Sequence, residues 1–418
     1  MAAVSDSQVA ATELERVEPK IQVLFERDPG FVGTIKKQNV EVMSAREMRV
    51  PLEINPGGNF GYFNPDGGDL GRGSGPVWDK AVLSPTYMSL GTEYTKLAQW
   101  ATDDRRKAVQ NAVRRMTAVQ LEEMIRQMNA QIQGNGTGTI GTIGSVSTSG
   151  GVDTYVCNSD GYGVRLMRAQ QVVQVFDATL ATLRGSGTIT QWDVENQSVQ
   201  VTPAIAGATA TDVIVTSGIG SPASLSALLG VQYHNSSAST GIWLGFNRAN
   251  TPQIRASRVN AGGSALSLPL PRLAINKIGN RVGMDMRNGI EAWTHPCQMQ
   301  AYEEIGQLVQ MIWKEPKDQK LNMYFDGMQM AGAPVKADYN WNMKRIDFFK
   351  KNTWGWGETL PIGFYTTDGR KIFEVRSASG GVSAAELFYM VVGRQSYVKN
   401  PAEVAYIDNL AIPSGYQV

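Results

Sequence analysis

Between residues 56 and 75 the chain reads Pro56-Gly-Gly-Asn-Phe-Gly-Tyr-Phe-Asn-Pro-Asp-Gly-Gly-Asp-Leu-Gly-Arg-Gly-Ser-Gly75. So dense a run of glycine, broken by proline, favours neither a helix nor a regular strand. The flanks differ. On one side Val50, Leu52 and Ile54 alternate with a period of two, the mark of a strand. On the other, Val77 to Leu90 is a second strand-like stretch. Strand, long glycine-rich tip and strand make an extended hairpin loop over residues 49–95. The tip carries Phe60, Tyr62 and Phe63, and Trp78 stands where the chain returns. Aromatic side chains on such a tip are a liability unless they dock on a partner.

Toward the N-terminus, residues 1–48 are polar with scattered apolar positions and read as an arm. Thr12 to Lys20 starts a short helix that Pro19 interrupts. Val23, Leu24, Phe25 and Phe31 then pack on something else. Toward the C-terminus, Thr102 is a candidate N-cap, and Asp103 and Asp104 follow in the first turn, where acids favour the helix dipole. The helical pattern runs to Gln133, and Gly134 is the candidate stop. That is about 31 residues, or roughly 46 Å. Its apolar stripe turns: Val109, Ala112, Val113 and Met116 share one face, and Leu121, Met124, Met128 and Ile132 another. Arg114, Arg115, Glu122 and Arg126 take the polar side.

Residues 134–151 are rich in Gly, Thr and Ser and read as a linker. Arg168 to Leu183 is predicted as a second helix ending at Gly185. From 186 to 262 short β-runs alternate with turns, as at Val199, Val201 and Val213-Ile-Val215, which gives a β-rich insertion. Leu270 to Val282 and Gln298 to Trp313 are predicted helices near Pro271 and Pro296. From Met323 onward strands and turns dominate, with a Trp354-Gly-Trp-Gly loop. The class is α+β.

Composition narrows the function. The 418 residues are 42% hydrophobic and only 18% charged, a surface suited to being covered by copies of itself. Net charge is +1, from 39 basic and 38 acidic residues, without the basic excess of a strong nucleic-acid binder. Two cysteines, Cys157 and Cys297, point to reduced thiols. The first residues contain no apolar core of a signal peptide, and no run approaches a membrane span. No phosphate-binding glycine loop occurs. Asp66-Gly-Gly-Asp69 lacks the alternating acids of a calcium loop and reads as turn chemistry. With two histidines, His234 and His295, neither a zinc site nor a Ser/His/Asp triad is supported. No metal, cofactor or enzymatic activity is therefore expected.

Four stretches stand out: Gln133-Gly-Asn-Gly-Thr-Gly-Thr-Ile-Gly-Thr-Ile-Gly144 after the long helix, Gly289-Ile-Glu-Ala-Trp-Thr-His-Pro-Cys-Gln298, Phe325-Asp-Gly-Met-Gln-Met-Ala-Gly-Ala-Pro-Val335 and Tyr397-Val-Lys-Asn-Pro-Ala-Glu-Val-Ala-Tyr-Ile407. Together with the order of elements, they resemble the major capsid proteins of tailed bacteriophages. Their fold, called the Johnson or Hong Kong 97-type fold, is shared with herpesvirus capsid floors and encapsulins. The resemblance covers nearly the whole chain outside 186–262.

It implies an N-terminal arm (1–48), an extended hairpin loop (49–95), a spine helix with a peripheral domain (96–185), the β-rich insertion (186–262), an apical domain (263–345) and a C-terminal peripheral β segment (346–418). It implies hexamers and pentamers of an icosahedral head around double-stranded DNA, assembled in a bacterial cytoplasm, with the chain itself as main partner. A portal, a scaffolding protein and a decoration protein are the further partners implied; membranes are not. The short arm means that scaffolding is either a separate protein or a removed segment. Phe60, Tyr62, Phe63 and Trp78 become inter-subunit contacts. Arg105, Arg106, Arg114 and Arg115 would face DNA or a neighbour's acids, with a solvated face as the default. Lys80 is the one lysine to consider for a covalent cross-link, though a solvated lysine is the simpler reading. An encapsulin-like compartment shell, or another virion structural protein, is the alternative.

Overall fold

The computed structural model describes residues 30–37, 40–62, 66, 71–95, 106–157, 160–283, 289–313, 329–350, 352–376 and 381–416, with backbone alone at 95, 106–117 and 306–313. The helix expected over Thr12 to Lys20, the apolar Val23, Leu24 and Phe25, and the cap at Thr102 lie outside the described residues.

The described chain opens with a 3-10 turn at Gly30–Thr34, followed by β1 (Lys36–Lys37), β2 (Glu41–Ser44), β3 (Glu47–Asn55), β4 (Val77–Leu83), β5 (Thr86–Thr95) and α1 (Arg106–Ile132). β2, β3 and β4 form an antiparallel sheet of three strands, and β3 and β4 are the two arms of the expected hairpin. The single strand expected over 77–90 is broken at Ser84-Pro85. Proline has no N–H to give a ladder, and the chain resumes as β5 in another sheet.

α1 is about 40 Å long. Met124, Met128 and Ile132 recur every four residues and are buried, but Leu121 is 37% exposed, so the stripe starts one turn later than its sequence suggested. Arg126, expected on the polar side, is only 4% exposed; its guanidinium reaches one turn back to the Glu123 carboxylate. Gly134 does not take the left-handed backbone. The helix instead tightens, with Gln133 N–H donating to Ala130 O and Gly134 N–H to Gln131 O. The left-handed positions come later, at Gly136 and Gly138.

Next come β6 (Thr139–Thr142), β7 (Ser145–Ser149), β8 (Val152–Val156), β9 (Val172–Phe176), β10 (Leu183–Asp193), β11 (Ser198–Thr202) and β12 (Val213–Thr216). They make one antiparallel sheet in the order β6-β12-β9-β10-β11-β8-β7. The helix expected over Arg168 to Leu183 is not there. Val172-Val-Gln-Val-Phe176 is rich in β-branched residues and is paired on both sides, by β10 and β12. Asp177 then closes a tight turn, its carboxylate accepting from the N–H groups of Ala181 and Thr182, both at 2.9 Å. The β-rich unit therefore begins at Thr139, well before 186, and ends near Thr216. The residues that complete its core, Tyr155, Cys157, Val173 and Val175, come from before the boundary drawn from sequence.

The remainder holds α2 (Val231–His234), β13 (Ile242–Trp243), β14 (Phe246–Asn247), β15 (Ser257–Asn260), α3 (Pro269–Val282), β16 (Ile290–Thr294), α4 (Pro296–Trp313), β17 (Gln329–Met330), β18 (Ala333–Ala337), β19 (Ile346–Lys350), β20 (Trp354–Phe364), β21 (Phe373–Arg376), β22 (Val382–Val398) and β23 (Ala405–Asp408). α3 and α4 lie where the sequence put them, each with proline in its first turn, where a missing N–H costs nothing. A mixed sheet runs β15-β23-β19-β16-β18-β17. α3 covers it with Ala274, Ile275 and Ile278, packed with Val259, Ile290 and Ile407. The last sheet joins β1, β20, β22 and β21, with β5 paired to β22 over ten residues.

Trp354-Gly-Trp-Gly is not a loop: it opens β20. Trp354 and Trp356 point to one side, as period two requires, and both are buried. The chain is close-packed after them: a Cβ on Gly357 would sit 3.1 Å from the end of Met48, which would have to give way.

The sheets meet at an aromatic box around Phe31. Its ring is met edge-on by Trp293 at 5.0 Å, Trp354 at 5.2 Å, Trp341 at 5.3 Å and Phe349 at 5.6 Å. Edge-to-face pairs of this kind add about 0.5–1.5 kcal/mol each beyond area burial. Phe31 was the one arm residue among those singled out that falls within the described chain, and it does pack as expected.

Candidate assembly surface

The hairpin divides into a held base and a free end. At the base Met48, Ala81 and Leu83 are buried with Trp243, Leu244, Phe246 and Tyr397. Val82 N–H donates to Leu244 O at 2.9 Å, and the Tyr87 hydroxyl donates to Ala45 O at 2.5 Å. The root is thus tied by packing, by the Tyr87 hydroxyl of β5 and by a backbone bond to the β13–β14 hairpin. Pairing of β3 with β4 continues outward from Met48–Leu83 to Asn55–Val77. Along β4 burial stops at Ala81: residues 77–80 are all exposed. β3 carries Pro51, but β2 reaches no further than Arg49, so the missing N–H breaks no ladder there.

The end is turned by Gly57 and Gly58, both at left-handed φ. At Gly57 even a methyl group would collide with the Gly75 backbone at 2.6 Å. Gly58 N–H donates to Ser74 O at 2.8 Å, which closes the neck of the tip. Beyond the neck Phe60 and Tyr62 stand 89% and 97% exposed, their rings edge-to-face at 5.7 Å. Trp78 is 72% exposed on the shaft. Three large aromatic side chains therefore project on a stalk whose root is buried. Phe63 lies outside the described residues. Lys80 is exposed on β4.

A second exposed apolar group lies at the far end of the β20–β22–β21 sheet. Phe364, Tyr365, Ile372 and Val382 are 36%, 49%, 45% and 64% exposed. The Phe364 ring lies tilted against Phe388 at 5.9 Å, and that of Tyr365 against Phe373 at 5.8 Å. The sequence reading did not single out this patch. A signal was present: Asp368-Gly369, both at positive φ, is the dipeptide that favours a tight hairpin turn.

Of the arginines proposed for the spine, Arg105 lies outside the described residues. Arg106, Arg114 and Arg115 are on α1, with only their backbone described. His295 and Cys297 are both buried, and His295 Nδ1 accepts from Cys297 N–H at 3.1 Å. Among the described residues no three His, Cys, Asp or Glu side chains gather as a metal site would require, and no helix is long and apolar enough to cross a membrane.

No protein-family model and no curated protein matches the sequence. Solved structures do match in fold. A chain of the capsid asymmetric unit of cyanophage A-1(L) superposes with a TM-score of 0.55 at 10% identity, covering 95% of this chain and 99% of that one. A chain of the bacteriophage PhiM1 mature capsid gives 0.47 at 9% identity, covering 94% and 90%. The SrpI encapsulin of Synechococcus elongatus PCC 7942 gives 0.45 at 10% identity, covering 99% and 98%. The first of these defines the class: the chain has the α+β fold of a capsid shell subunit, end to end.

Proposed function

We propose that this chain is the major capsid protein of a tailed bacteriophage, of the Hong Kong 97 type. The observation that carries the reading is the end-to-end fold match to the cyanophage A-1(L) capsid chain, with almost nothing left over on either side. In this reading the chain works by geometry, as hexamers and pentamers closing an icosahedral head around double-stranded DNA. The arm (1–48), hairpin loop (49–95) and α1 are the interlocking parts, with 263–345 as the apical domain and 346–418 as the peripheral β segment. Phe60, Tyr62, Phe63 and Trp78 are buried on a neighbouring subunit. Arg105, Arg106, Arg114 and Arg115 face DNA or a neighbour's acids. A portal, a scaffolding protein and a decoration protein are the further partners, and assembly takes place in the bacterial cytoplasm.

The exposed stalk supports this reading. A soluble protein rarely leaves aromatic side chains so bare, and Tyr and Trp are the side chains favoured at interface centres. Several such contacts, each modest, would sum to a stable shell. The test is a triple alanine variant at Phe60, Tyr62 and Trp78, followed by sedimentation velocity. The reading expects particles of high mass from the parent chain and small species from the variant. Unaltered assembly of the variant would refute the contact.

A further inference from the structure

Positive charge is concentrated in one recess. It has a volume of about 430 Å³ and lies between the last turns of α3, the loop before β15, and β15 itself. Arg255, Arg258, Lys277 and Arg281 line it, with Asn280 and Ser237 beside them. In a chain whose net charge is +1, four cations around one hollow is a marked excess.

What holds these cations matters more than their number. Arg255 Nε donates to Arg248 O at 2.7 Å. Arg281 Nη2 donates to Pro252 O at 2.7 Å, and its Nη1 to Arg255 O. Lys277 Nζ donates to Arg258 O at 2.6 Å. These acceptors are neutral carbonyls. They fix each side chain in place without cancelling its charge. Among the described residues only Arg258 of the four pairs with a carboxylate, Asp408, at 2.8 Å. The described lining therefore keeps a positive surplus. Burial, and after it the neighbouring Arg255, disfavour the charged form of Arg281. Three of the groups are guanidiniums, whose planar fork suits an oxyanion better than an ammonium does. Some positive charge is expected at the C-terminal end of a helix such as α3. That accounts for Arg281, but not for Lys277, a turn earlier, nor for Arg255 and Arg258, which come from other segments.

We propose that this recess is a binding site for a phosphate oxyanion, supplied by the backbone of a nucleic acid. The phosphate chemistry stands on the geometry alone; that the nucleic acid is DNA held inside a shell rests on the capsid reading above. Lys277 and Arg258 are the groups to test. Their loss removes charge, while Arg255 and Arg281, which tie the loop, stay in place.

The experiment uses the full chain, kept unassembled, so that it does not depend on shell formation. Binding of inorganic phosphate and of a short random-sequence DNA duplex is titrated at several salt concentrations. The parent chain should bind both, and each should displace the other. Lys277→Gln with Arg258→Gln should weaken binding about three- to tenfold and reduce the salt dependence by about one unit of slope per cation lost. Lys277→Arg should retain binding, which separates lost charge from lost packing. Lys371→Gln, a cation far from the recess in sequence and sheet, should change nothing. Phosphate binding that DNA cannot displace would assign the site to free phosphate and overturn the nucleic-acid source. Equal binding by the double variant and the parent, or preference for an acidic peptide over phosphate, would overturn the site.

Discussion

His234 sits in a place where a charge is costly. It is fully buried, accepts from the Trp243 indole N–H at 3.1 Å and contacts Ser396 O at 3.1 Å through its other nitrogen. One nitrogen accepts and the other donates, which is the neutral ring. Burial pushes its pKa down from 6.5 to about 3. His295 is lowered likewise to about 3, first by burial and then by the nearby Arg165. In the unfolded chain both rings take up protons near 6.5, and in the folded chain only near 3. Between those values the unfolded state binds more protons, so folding stability is fully present above about pH 6.5 and falls as pH drops toward 3. Denaturant midpoints at pH 7 and pH 4.5 should show this loss, and His234→Gln should lessen it. A midpoint unchanged over that range would contradict the assignment.

Asp338 is a second residue with much depending on it. Its carboxylate accepts from Phe31 N–H at 2.8 Å, from the Asn129 amide at 3.1 Å and from Asn340 N–H at 2.8 Å. It thereby joins the start of the described chain to α1 and to the segment before β19. Asp338→Ala would leave several buried donors without partners, at about 1–3 kcal/mol each. A loss of about 3 kcal/mol is expected in chemical denaturation, with Phe31 and its aromatic box loosened together.

Among the elements, the hairpin makes the sharpest contrast between stability and assembly. Met48→Ala at the base should cost about 2–5 kcal/mol, as buried Met-to-Ala changes do. Alanine at Phe60 and Tyr62 should leave thermal stability within about 0.5 kcal/mol of the parent, since those rings touch little besides each other. Melting curves and particle sizing on the same samples separate the two effects. The hairpin was legible in the sequence because alternation and glycine punctuation are local signals. The same holds for α3 and α4, which begin at prolines. The strand at Val172–Phe176 was misread as a helix because Leu180 and Leu183 lengthened an apolar pattern that ends in space at Phe176. Only pairing by β10 and β12, distant in sequence, decides it. Trp354-Gly-Trp-Gly was misread as a loop for a related reason. Its pairing with β22 and the approach of Met48 to Gly357 come from distant segments, which no local pattern reports. The recess of cations was likewise hidden, because residues 255, 258, 277 and 281 converge only once α3 has packed on its sheet.

At the scale of the whole molecule, the extent of the β-rich unit was not readable. Its core draws on strands from both sides of residue 186. Against a net charge of +1, the recess of cations is a local surplus of positive charge. In the proposed reading the subunit closes shells by laying its hairpin on a neighbour. The most direct test is electron cryomicroscopy of the chain expressed alone and with candidate scaffolding proteins. Closed shells in which Phe60 and Tyr62 of one subunit are buried on the next are the predicted result. A chain that stays monomeric under every condition, or shells in which the tip stands free in solvent, would contradict it.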